Sequence, residues 1–158
     1  MRVIRWFLAL AMTGSPPVFA SSLDGALMVE KRADVASEVK VRVWTVHATN
    51  RSKGVGDGLE RIAKHLKNLN YTGFSLLSKD GAAIPPKASR KFTVVGDKAV
   101  KVTVLDRNET RARVRVQVTS PKGKLLDTTV SIRRNGFFMV AGPAHDQGVL
   151  VLPIFARY

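Results

Sequence analysis

The chain has 158 residues, 45% of them apolar, and carries 26 Lys and Arg against 12 Asp and Glu, a formal charge of +14. It has no cysteine, which excludes disulfides, thiolate metal sites, a cysteine nucleophile and a lipid-modified cysteine, so that stability must come from packing alone.

The start, MRVIRWFLALAMTGSPPVFASS, sets Arg2 and Arg5 before an apolar run from Trp6 to Met12, and Val18-Phe19-Ala20 before Ser21. This is the layout of a secretory signal peptide over residues 1–20, with cleavage expected after Ala20. Thr13, Gly14 and Pro16-Pro17 interrupt the run, which falls short of the ~20 apolar residues that span a bilayer. The mature chain would keep 138 residues, with 24 basic and 12 acidic residues and a charge of +12. The expected location is therefore outside the cytoplasm, in the periplasm or on the cell surface. Residues 21–37, small and charged, are expected to be a flexible or loosely ordered lead-in, and residues 38–158 a single α+β domain.

In EVKVRVWTVHA, Val39, Val41 and Val43 alternate with Lys40 and Arg42 before both parities turn apolar at Trp44 and Val46, as in a strand running from a half-exposed position into the interior. The loop NRSKGVGDG follows. Next, DGLERIAKHLKNLN places Leu59, Ile62, Ala63, Leu66 and Leu69 at helical spacing, with Asp57 and Glu60 spaced as a capping box and Asn70 or Gly73 as a stop. This predicts the one amphipathic helix of the chain. From Tyr71 the period is two: YTGFSLLS is a strand, KDGAAIPPKAS a loop, and RKFTVV, KAVKVTVLD, TRARVRVQVT, KLLDTTVSIR and FFMVAG are successive strands joined by turns. GPAHDQ is read as a loop and GVLVLPIFARY as a final buried strand. The expected fold is one amphipathic helix packed on a mainly antiparallel β-meander sheet, or a small β-sandwich of seven to eight strands.

Among candidate sites, RARVRVQVTS sets Arg111, Arg113 and Arg115 on one parity and Val114, Val116 and Val118 on the other, and Lys101 on the neighbouring strand opposes Val100 and Val102. Burying each valine is worth about 1.5–3 kcal/mol, so the valines set the orientation and the cations point outward. Lys101, Arg111, Arg113 and Arg115 form either a row of solvated charges that discourages aggregation or a surface for an acidic ligand. No zinc module, helix-turn-helix or interleaved aromatic platform accompanies them, so dedicated nucleic-acid binding is not favoured. KGVGDGLER lacks the glycine or Gly-Lys-Ser/Thr of a phosphate loop and is read as a turn and cap. His47, His65 and His145 lack metal-ligand spacing. His145-Asp146 is the only pair with the residue types of acid/base catalysis, and it too is read as a turn.

VWTVHATN, GVGDGLERIAKHLKNLNYTGFSLL and VAGPAHDQGVLVLPI together resemble a group of small exported bacterial proteins of unassigned function, over Val39 to Ile154. The resemblance implies a bacterial envelope setting and carries over no catalytic or binding residue. The resulting expectation is a non-enzymatic module of the envelope, without metal or cofactor. It would be an accessory subunit acting through contacts with an envelope protein, or alternatively a binder of anionic lipid or polysaccharide through Lys101, Arg111, Arg113 and Arg115.

Overall fold

The computed structural model describes residues 38–158; the expected signal peptide, residues 1–20, and lead-in, residues 21–37, lie outside the described residues. The alternating segments become β1 (Val39–Thr49), β3 (Gly73–Ile84), β4 (Ser89–Val94), β5 (Lys98–Arg107), β6 (Arg111–Ser120), β7 (Gly123–Arg133), β8 (Phe137–His145) and β9 (Gly148–Arg157). Between β1 and β3 lie the two-residue strand β2 (Gly54–Val55) and the single helical turn α1 (Ala63–Leu66). Sheet A has the order β2-β3-β1-β9-β8 and sheet B the order β4-β5-β6-β7. Every pairing is antiparallel except β2 with β3.

The two sheets pack face to face through the apolar parity of each strand. Val39, Val41 and Val43 of β1 and Leu150, Leu152, Ile154 and Ala156 of β9 meet the sheet B valines in one buried cluster. Those valines are register partners, Val100 with Val118, Val102 with Val116 and Val104 with Val114, and all are 0–1% exposed. β-Branched side chains suit this pleated, doubly covered surface.

A second cluster forms on the opposite face of sheet A. Trp44, Val46 and Ala48 of β1, Val151 and Phe155 of β9 and Phe74 of β3 are closed over by Leu59, Ile62 and Leu66. β9 is thus a central strand apolar on both faces over most of its length, while β1 is apolar on its inner face through Val39, Val41 and Val43 and on its outer face through Trp44, Val46 and Ala48, so sheet A needs two covers.

The second cover overturns the expected α+β fold. Of the described residues 67% are in strands and 3% in helix, no helix reaches seven residues, and no amphipathic helix packs on a sheet. Only Ala63–Leu66 is helical, with no side-chain cap; the Glu60 carboxylate accepts from the Gly58 N–H at 2.8 Å instead of closing a capping box. The parallel pairing of β2 with β3 explains why. Gly54 N donates to Thr72 O and Gly56 N to Phe74 O, so the chain must leave and return at the same level of the sheet. Three helical turns would carry it about 16 Å away, whereas a string of turns returns it directly. Bonds such as Ile62 N to Leu59 O, His65 N to Ile62 O and Leu69 N to Leu66 O show this tighter winding. Spacings of three and four residues still bring Leu59, Ile62 and Leu66 to one side.

Two expected loops are also strand. KDGAAI continues β3, since Asp80 to Ile84 pair with Val43 to Val39, and regular pairing ends only before Pro85-Pro86. β8 runs on to His145, and Asp146 (φ 40°) and Gln147 (φ 59°) make a two-residue hairpin turn, the left-handed pair that suits the twist of the flanking strands.

The fold predicts unequal responses within one short segment. Leu66→Ala should destabilise by about 2–5 kcal/mol, and Lys64→Ala, on the exposed side of the same turn, by under about 0.5 kcal/mol. Urea unfolding of the two variants checks this.

Candidate anion-binding face

The outer face of sheet B is assembled by register. Moving along the strands, one row carries Lys91, Lys101, Gln117 and Asp127; the next Ser89, Thr103, Arg115 and Thr129; then Asp106, Arg113 and Ser131; and finally Arg111 and Arg133. The valine parity drives all of these side chains outward, as the alternation requires. At the far end, Asn108 organises the turn between β5 and β6. Its Oδ1 accepts from the backbone N–H groups of Thr110 and Arg111, which places Arg111 at the mouth of β6.

The four sequence-selected residues do share this face, but they differ electrostatically. Arg115 makes two parallel bonds to the Asp127 carboxylate, both 2.7 Å, the bidentate arrangement that is strongest for this pair. Lys124 (2.9 Å) and Gln117 (3.0 Å) donate to the same carboxylate. The Arg115 bond first, then those from Lys124 and Gln117, hold the Asp127 carboxyl far below the usual carboxylate range. Because its folded pKa is depressed, the stabilisation it lends is complete above the ordinary carboxylate pKa and is lost only as pH falls through the folded value. Mild acid therefore does not release Arg115. Arg113 lies 3.5 Å from Asp106 with both side chains more than half exposed, a weak pair. Lys101 and Arg111 have no side-chain partner among the described residues.

Sequence reasoning missed two members. Lys91 stands directly opposite Lys101, and Arg133 directly opposite Arg111. All four are exposed, and Lys91 and Arg133 likewise have no side-chain partner among the described residues. Like charges facing each other across a ladder are destabilising, so this face carries two electrostatically unfavourable pairs. Arg111 lies six positions from Gln117 on β6, about 20 Å at ~3.4 Å per residue. The two pairs thus mark opposite ends of a band, with hydroxyls, the held Arg115 and the weakly paired Arg113 between them. A signal was present, since the turns joining β5 to β6 and β6 to β7 were visible, but a register was needed to see which cations meet.

The remaining candidates lie apart from this face. His47 and His145 meet edge to face, with ring centroids 5.7 Å apart, and His47 Nε2 bonds the backbone carbonyl of His145 at 3.1 Å. No hydrogen bond joins the His145 ring to Asp146 among the described residues. His65 meets Phe137 edge to face, with ring centroids 4.9 Å apart. Among the described residues no group of His, Asp and Glu has the arrangement of a metal site. No protein-family model, curated protein or solved structure matches the chain.

Asp127 competes internally with any external anion for Arg115. Asp127→Asn should therefore raise the affinity of the face for a polyanion, about 3- to 10-fold, while weakening the fold slightly. Elution from immobilised heparin at higher salt, together with a lower unfolding midpoint, is the expected pair of results.

Proposed function

We propose that this chain is an exported, non-enzymatic binding module of the bacterial envelope that holds an acidic polysaccharide on the outer face of sheet B. The observation that carries the reading is the pair of uncompensated cross-strand cation contacts, Lys91 with Lys101 and Arg111 with Arg133. Each costs stability in the free protein and is relieved when an anion sits between its members. Between the two pairs, Ser89, Thr103, Thr129 and Ser131 supply hydroxyls suited to sugar oxygens. No aromatic side chain occupies the register positions of these rows, which disfavours base stacking and so single-stranded nucleic acid. The binding is electrostatic, so affinity should fall steeply with salt.

A second reading, attachment to an envelope protein, is favoured by the edge of sheet A. β8 is the outermost strand there, and its Phe138 is 38% exposed, so an extended partner segment could add to it by backbone pairing. That contact would ignore charges on sheet B.

The combined variant Lys91→Gln, Lys101→Gln, Arg111→Gln and Arg133→Gln tests the first reading. Its affinity for heparin, a sulfated polysaccharide, should drop by about 10- to 100-fold at 0.15 M salt, as the loss of four charge contacts implies. Its thermal midpoint should stay level or rise, because repulsion is removed. Unchanged heparin affinity measured by calorimetry would remove sheet B from the binding surface.

A further inference from the structure

The outer face of sheet A is only half covered. Leu59, Ile62 and Leu66 close over Val46, Ala48 and Val151, but the other half of the face, around Lys40 and Arg42, is exposed. There Lys40 stands between Ala83 of β3 and Arg157 of β9, and Arg42 between Gly81 and Phe155. We propose that this open half is a second polyanion site, so that one molecule bridges two acidic polysaccharide chains; the inference rests on the reading of sheet B as the first site.

Three observations support it. The first is charge. Lys40 and Arg157 are direct register partners, a third uncompensated like-charge contact of the kind found on sheet B, and neither they nor Arg42 have a side-chain partner among the described residues. Asp80 borders this region, but it is the register partner of inward-facing Val43, so its carboxylate, which accepts from Ser78, belongs to the other face of the sheet.

The second is shape. A pocket of about 330 Å³ bounded by Lys40, Arg42 and the small residues Gly81, Ala82 and Ala83 adjoins one of about 250 Å³ bounded by Arg42, Trp44 and Lys79. The two share Arg42 and Gly81 as walls, so they lie side by side as a shallow groove along the junction of β1 and β3. Its depth depends on glycine: a Cβ at Gly81 would come within 3.2 Å of Arg42 Cγ and 3.3 Å of the Val41 carbonyl. Lys79 is anchored at the far end of the groove wall. The Lys79 ammonium sits 4.3 Å from the centre of the Trp44 ring and donates to the Gly58 carbonyl at 3.1 Å, so this cation is held at the groove and adds to its positive potential.

The third is placement. Sheet B covers the inner face of sheet A, so the groove and the sheet B band lie on opposite sides of the molecule. A straight polymer lying on one cannot touch the other, and two bound chains are joined through the protein.

Calorimetry with short heparin oligosaccharides should give two sites per protein and, with long heparin, light scattering should show large aggregates near charge equivalence that dissolve when heparin is in excess. The variant Lys40→Gln, Arg42→Gln and Arg157→Gln should bind one oligosaccharide and form no aggregates, and Ala83→Glu, which sets a carboxylate beside Lys40, should do the same. One site in the native protein that survives in these variants and is lost with the sheet B substitutions would overturn the bridging inference and leave the first reading intact. One site lost in these variants alone would overturn both bridging and the sheet B reading. Two sites with undiminished aggregation in both groove variants would also overturn the groove.

Discussion

β9 is apolar on both faces, and β1 is apolar on its inner face in its first half and on its outer face in its second; the rest of the architecture answers that constraint. Neither strand can lie at a surface, so the two sit side by side at the middle of sheet A. One face is covered by sheet B and the other by the winding segment around Leu59, Ile62 and Leu66. The order of layers, the burial of the last strand and the location of both charged surfaces follow from it. Sheet B contributes one apolar face and needs one cover, so its other face is free to be wholly polar. Sheet A contributes two, but its second cover is short because both ends of that segment are tied beside each other at Gly54 and Gly73. The open half of the sheet is the direct result.

Charge behaves differently from apolar burial in this molecule. Valine placement is settled by period two alone, since a slip of one residue would turn the whole set outward. Cations are placed by default on the remaining parity, and their energetic standing depends on what faces them. Arg115 meets Asp127 and is held; Lys101 meets Lys91 and is not. Two residues that look equivalent in RARVRVQVTS and KAVKVTVLD thus differ in their readiness to meet an external anion. An arginine with a bidentate internal partner is a structural element first, whereas a lysine opposed by another lysine gains from any anion that arrives.

Several elements were legible from local pattern because their cause is local. The limits of β6 and β9 were read within a residue or two, and the turns at Pro121 to Gly123 and at Asn135-Gly136 lie where turn chemistry places them. The errors have causes that pattern cannot carry. GAA after Lys79-Asp80 reads as loop, yet it is strand because β1 supplies a partner for its backbone. GPAH reads as loop, yet β9 pairs with it around an irregularity between Ala141 and Ala144. The segment from Leu59 to Leu69 has helical spacing, and its apolar side is indeed the buried one, but the closure of β2 on β3 replaces a helix with turns.

The sequence by itself determined the parity of each strand, the identity of the buried side chains and the outward direction of the cations, because side-chain alternation and transfer from water are properties of a residue and its immediate neighbours. Only the tertiary structure decided that sheet A has two covered faces, that Leu59 to Leu69 winds as turns, and which cations face aspartate and which face one another. Those outcomes depend on strand order and register, which join residues such as Lys40 and Arg157 that are far apart along the chain.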